Sequence, residues 1–241
     1  MKVIVMENYD ELSIKAARMV ASQLILKPNS ILGLATGDTP LGMYKELISL
    51  NNRKIINFSE VKSFNLDEYC GLENTNDQSY IYYMMENFFK HININLENIY
   101  LPNGTSKDVE IECNEYEKKI KDAGLIDLQV LGIGGNGHIG FNEPNINFEA
   151  ETHLVQLDDD TIKANSRFFN SIKEVPISAI SMGIKTIMRS KKIILLANGK
   201  NKSEVVFKAI NGKITPDIPA SILQLHNDVT FIIDKEAAIC L

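Results

Sequence analysis

Apolar positions along this chain fall in short runs, and the stretches between them repeat at helical spacing. The first run, 3–6, predicts a strand; a helical pattern follows over 10–26 and stops before Pro28. A second strand is predicted at 31–35. A helix then occupies 40–50, with Pro40 in its first turn, where a missing N–H does no harm. Further strands are predicted at 61–66, 126–133, 152–157, 192–197 and 229–233. Helices are predicted at 78–89, 108–123, 160–169 and 202–210. Ile111, Tyr116 and Ile120 give the helix at 108–123 its apolar stripe, and Gly124 ends it. Asp158 or Asp159 caps the helix at 160–169. Within the aromatic stretch 80–89, Phe88 and Phe89 read as core, and the remainder reads equally as core or as a lid.

Strands separated by helix-length segments imply right-handed crossovers onto a mostly parallel sheet. The predicted fold class is therefore α/β, Rossmann-like, with helices on both faces. With no linker, repeat or low-complexity stretch in view, residues 1–241 read as a single domain. In such sheets ligands bind beyond the carboxyl ends of the strands, which directs attention to the strand-to-helix loops.

Composition narrows the function classes. The 241 residues are 44% hydrophobic and 23% charged, which excludes disordered and fibrous chains, and this length buries a core without staples. A net charge of -6 argues against a dedicated nucleic-acid binder but not against an anionic substrate, which responds to local donors. Cys70, Cys113 and Cys240 are widely spaced and form neither a disulfide framework nor a zinc pattern. The apolar run at the N-terminus is too short for a signal peptide, and no stretch of about eighteen apolar residues occurs. These features lead us to expect a soluble cytoplasmic protein with reduced thiols and no metal.

Three loops carry candidate chemistry. Thr36-Gly37-Asp38-Thr39 joins a strand to a helix, so its backbone N–H groups and threonine hydroxyls suit a single phosphate. The alternative is a tight turn with Thr39 as cap; Asp38 would repel a phosphate unless its side chain points away. Asp67 and Glu68 end a strand, point in different directions, and leave one carboxylate for a cleft as a general base. The alternative there is a helix cap. The third loop, 132–144, contains Gly132, Gly134 and Gly137 in the dinucleotide spacing. That fingerprint needs a helix starting at the last glycine, and Gly140 followed by Asn142-Glu143-Pro144 forbids one. His138 among these glycines suits proton transfer near neutral pH, with Glu143 to raise its basicity and Asn136 to orient it. Arg167, closing a helix, and Lys202, opening one, are candidate phosphate ligands or ordinary surface cations.

Taken together, Gly33-Leu34-Ala35-Thr36-Gly37-Asp38-Thr39-Pro40, Phe64-Asn65-Leu66-Asp67-Glu68-Tyr69, Gly134-Gly135-Asn136-Gly137-His138-Ile139-Gly140-Phe141-Asn142-Glu143-Pro144 and Ala164-Asn165-Ser166-Arg167-Phe168-Phe169 resemble the glucosamine-6-phosphate deaminase (isomerase) family in order and spacing. The resemblance implies conversion of glucosamine 6-phosphate and water to fructose 6-phosphate and ammonia, without a redox cofactor. It implies Asp67 as the base working between C2 and C1, His138 as the ring-opening shuttle, and Glu143 as its support. It also implies Thr36 to Thr39, Arg167 and Lys202 around the phosphate. Some family members carry Asp where this chain has Asn136, which makes Asn136 a supporter at most. Members activated by N-acetylglucosamine 6-phosphate use basic residues just after the Glu-Pro loop, where this chain reads Phe148-Glu149-Ala150-Glu151-Thr152-His153. The expectation is an enzyme without that allosteric site, and a monomer in preference to a homo-oligomer. The rivals are a 6-phosphogluconolactonase and a non-catalytic sugar-phosphate sensor.

Overall fold

The computed structural model describes residues 1–145 and 147–241. The first half runs β1 (Lys2–Met6), α1 (Tyr9–Leu26), β2 (Ile31–Leu34), α2 (Leu41–Asn52), β3 (Lys62–Asn65), β4 (Asp67–Tyr69), α3 (Tyr80–Asn87), β5 (Ile99–Tyr100) and α4 (Val109–Ala123). The second runs β6 (Leu128–Leu131), β7 (His153–Gln156), α5 (Asp159–Asn165), β8 (Ser178–Ser181), α6 (Ile184–Met188), β9 (Ile193–Ala197), α7 (Ser203–Asn211) and β10 (Val229–Asp234). As the cap signals predict, the Asp158 side chain accepts from Asp160 N–H at the start of α5, and Gly124 ends α4 in the left-handed region.

Seven strands form a parallel sheet in the order β1-β10-β9-β6-β2-β3-β5. Its central strands β2, β6, β9 and β10 are buried, mostly apolar runs whose alternate residues feed two cores, while β1 at the edge is largely exposed. Ile193, Leu195 and Ala197 of β9 pack with Tyr116 and Ile120 of α4 and Val206 and Ala209 of α7. Ile194 and Leu196 pack on the opposite face with Leu12, Ala16 and Val20 of α1 and Met43 and Leu47 of α2. Phe88 and Phe89 are buried in this second core, as expected. The chain leaves β2 toward β3 and β5, then returns on the other side of β2 to β6, β9 and β10. The loops after β2 and β6 therefore diverge from neighbouring strands and open a crevice between them.

One sheet does not account for every strand. β4, β8 and β7 form a second, antiparallel sheet, with Asp67 opposite Ser181. The predicted strand at 61–66 changes sheet at Leu66, whose N–H donates to Leu34 O at 3.1 Å while its carbonyl accepts from Met182 N at 2.7 Å. The predicted helix at 160–169 is shorter: α5 ends at Asn165 and tightens into a 3-10 turn over Ser166–Phe168. Ser166 Oγ donates back to Lys163 O at 2.7 Å, which favours such an ending.

Candidate active site

The carboxyl ends of β2, β3, β6 and β9 and the α3 and α5 segments border a cleft of about 890 Å³. Thr36, Gly37, Asp38, Thr39, Asp67, Asn136, His138, Arg167 and Lys202 all line it. Nine of the ten residues singled out from sequence thus share one cavity, and the tenth, Glu143, hydrogen-bonds His138.

Alternation along β4 separates its two carboxylates. Glu68 turns away and accepts from the N–H groups of Tyr69, Tyr80 and Ile81, each at 2.9 Å, anchoring the start of α3. Asp67 is buried at the cleft wall. Burial, and then the neighbouring Glu68 charge, push its carboxyl up to about 8.

On the opposite loop, Gly134 N–H donates to His138 O at 2.9 Å and the chain folds back on itself. A Cβ on Gly134 would sit 2.4 Å from the His138 ring, so the imidazole occupies space that only glycine leaves open. His138 Nδ1 lies 3.0 Å from Glu143 Oε2. An ionised carboxylate can only accept, so Nδ1 carries the proton and Nε2 is left free as a base. Asn136 Nδ2 donates to the same Glu143 oxygen at 2.7 Å, and its Oδ1 accepts from His138 N at 3.2 Å. The amide therefore fixes the carboxylate and the loop backbone, and reaches the imidazole ring only through them. Glu143 Oε1 accepts from Thr161 Oγ1 at 2.7 Å. Burial alone would raise the Glu143 carboxyl. The His138 hydrogen bond and charge, then the Thr161 and Asn136 bonds, outweigh burial and hold it below the usual carboxylate range.

At the other end of the cleft, Gly37 adopts a φ of 101°, which a glycine meets without strain. Thr39 does not cap α2: its Oγ1 donates to Asn198 Oδ1 at 2.8 Å, and Pro40 stands at the cap position. The Asp38 carboxylate meets Arg167 Nη2 at 2.7 Å, with both side chains well exposed. Lys202 Nζ donates to Ile133 O at 2.8 Å; burial and then the Arg167 charge hold its ammonium below the usual lysine range. Among the described residues no cluster of three or more His, Cys, Asp or Glu side chains is placed to hold a metal ion.

Several cleft residues escaped the sequence reading. Thr161 and Asn165, one turn apart on α5, reach Glu143 and Tyr69 Oη respectively, the latter at 2.8 Å. Asn198 supports Thr39, and Tyr83 supports Gly37. Asn165 lies inside the Ala164–Phe169 motif and Thr161 one turn before it, which was the available signal for these two.

Residues 8–232 match the sequence family described as glucosamine-6-phosphate isomerases/6-phosphogluconolactonase. A glucosamine-6-phosphate deaminase of Clostridium botulinum (strain Langeland) is 67% identical over 238 residues, covering 99% of this chain and 98% of that protein. A monomeric glucosamine-6-phosphate deaminase of known structure superposes with a TM-score of 0.98 at 48% identity, covering 100% of both chains. The 6-phosphogluconolactonase of Trypanosoma cruzi shares the fold, with a TM-score of 0.80 at 20% identity over 100% of this chain and 96% of that one. From residues 8–232 and these relatives, the chain belongs to the glucosamine-6-phosphate isomerase/6-phosphogluconolactonase family.

Proposed function

We propose that this enzyme converts glucosamine 6-phosphate and water to fructose 6-phosphate and ammonia. The observation that carries the reading is a buried carboxylate, Asp67, lining the same cleft as an imidazole whose Nδ1 is held by Glu143. Relatives named for this activity at 67% and 48% identity support it.

The chemistry requires two separate proton carriers. The pyranose must open before C2 becomes acidic. His138 Nε2 carries the proton between the anomeric hydroxyl and the ring oxygen, and Glu143 steadies the imidazolium that forms. Asp67, once ionised, takes the proton from C2 of the open aldehyde and delivers it to C1 through an enolamine. The resulting C2 iminium adds water and expels ammonia, leaving the ketone. Each positioned acid–base group contributes about 10²–10⁴-fold, roughly 3–5 kcal/mol of barrier. Thr36, Gly37, Asp38 and Thr39 bind the phosphate through their amides and the Thr36 hydroxyl, the Thr39 hydroxyl being held by Asn198, with Arg167 and Lys202 as cations. That remote binding fixes the open chain against both proton carriers.

In this reading residues 1–241 act as one domain, in the cytoplasm, as a monomer without the acetyl-sugar activation site. The monomeric relative and the segment Phe148-Glu149-Ala150-Glu151 support this. No helix among the described residues is long and apolar enough to cross a membrane. The test is to supply glucosamine 6-phosphate and 6-phosphogluconolactone in parallel: ammonia and fructose 6-phosphate from the first support the proposal, and turnover of the lactone alone would overturn it.

A further inference from the structure

The loop after β2 is held by three phenol hydroxyls; of the three residues that carry them, Tyr83 itself lines the cleft, and Tyr9 and Tyr44 stand behind the loop. Tyr44 Oη donates to Ala35 O at 2.5 Å, and Tyr83 Oη donates to Gly37 O at 2.6 Å. Tyr9 Oη reaches Asp38 O at 3.0 Å and Thr39 O at 3.1 Å while accepting from Gly42 N at 2.8 Å. The three side chains come from α1, α2 and α3. Of the carbonyls from Ala35 to Thr39, those of Ala35, Gly37 and Asp38 are occupied and share their peptide planes with the N–H groups of Thr36, Asp38 and Thr39; the Thr39 carbonyl is also occupied but precedes Pro40, which has no N–H. The N–H groups of Thr36, Gly37, Asp38 and Thr39, in contrast, donate to no group among the described residues, and all four residues line the cleft.

A peptide plane whose carbonyl is tied on one side presents its N–H on the other, and successive N–H groups so turned make an anion-binding concavity. Fixing the planes before the anion arrives removes an ordering cost from binding. We propose that Tyr9, Tyr44 and Tyr83 are positioning residues for phosphate recognition, holding the carbonyls of Asp38, Ala35 and Gly37 away from the cleft so that the amides of Thr39, Thr36 and Asp38 meet the phosphate preformed. The proposal rests on the assignment of this loop to the phosphate. The three residues act through the loop. Tyr44 is also fully buried core.

The experiment compares the wild-type enzyme with Tyr83→Phe and Tyr9→Phe, using glucosamine 6-phosphate as substrate and inorganic phosphate as competitive inhibitor. Tyr82→Phe, on the same helix but with an exposed ring and no hydrogen bond from its hydroxyl among the described residues, is the control. Each of the first two variants is expected to raise KM and the phosphate inhibition constant together by about threefold to tenfold, with a much smaller change in kcat. Tyr82→Phe is expected to match wild type. A role confined to stability would lower Tm and leave both constants unmoved, and that result overturns the proposal; two variants guard against one that fails to fold. If inorganic phosphate does not compete in the wild type, the loop assignment itself falls, and the proposal with it.

Discussion

Thr161 Oγ1 donates to Glu143 Oε1 at 2.7 Å, leaving Glu143 Oε2 to His138 and Asn136. A hydroxyl on α5 thus fixes one carboxylate oxygen and a histidine on the β6 loop binds the other. The segment carrying Thr161 also carries Arg167, so the hydroxyl that steadies the partner of the proposed proton shuttle and a proposed phosphate cation share one short stretch of chain. Thr161→Val keeps the shape but leaves that oxygen without its donor. We expect kcat/KM to fall about tenfold, in keeping with loss of one charge-assisted hydrogen bond of about 1.5 kcal/mol or more, and Thr161→Ser to restore most of it. Equal activity in Val and Ser variants would show that the bond does not position Glu143.

The raised carboxyl of Asp67 fixes a pH dependence. The base works only when ionised, and the free enzyme holds this group at about 8. The value of kcat/KM is therefore expected to rise about tenfold per pH unit below 8 and to level off above it. Initial rates from pH 6 to 9.5 at low substrate check this; a profile flat from pH 6 upward would assign the base elsewhere.

The same shift has a consequence for stability. Asp67 binds its proton more tightly in the folded protein, at about 8, than in the unfolded chain, where a free aspartate carboxyl has its ordinary value of 3.8. Between those values the native state holds more protons than the unfolded chain, so this group makes stability fall as pH rises. Asp67→Asn removes the penalty. Its Tm should exceed that of the wild type, by a margin that widens as pH rises toward 8 and then stays constant. A margin that shrinks over this range would contradict the buried, protonated state.

Arg167 is occupied by Asp38 across the cleft mouth, with side-chain exposures of 65% and 60%. An exposed pair of this kind contributes at most about 1 kcal/mol, so a phosphate can displace it. Asp38→Asn releases Arg167 and removes a like charge near the phosphate. Steady-state kinetics should show KM lowered about twofold to fivefold at low salt, with the difference shrinking in 0.5 M salt (about a 4 Å screening length).

Much of the site was legible because its chemistry sits where an α/β sheet places it. Asp67, His138 and Glu143 follow strand ends, and glycine spacing around His138 excluded a dinucleotide helix before any fold was known. The antiparallel sheet was not legible. β8 reads Ser-Ala-Ile-Ser, too short and too polar to stand out, and β4 follows β3 after a single residue. Thr161 was missed because a hydroxyl inside a short polar helix looks like surface, and its partner lies eighteen positions away. Tyr9 and Tyr83 have the spacing of apolar helix faces, so their rings are visible in sequence while their hydroxyl partners are set by tertiary packing.

The most direct test of the central claim is the Asp67→Asn variant, followed by ammonia release from glucosamine 6-phosphate together with substrate binding by calorimetry. The account predicts turnover lowered at least about 10²-fold, with binding close to that of the wild type, because the phosphate contacts lie elsewhere in the cleft. Ammonia release at the wild-type rate would contradict it and remove Asp67 from the proton path between C2 and C1.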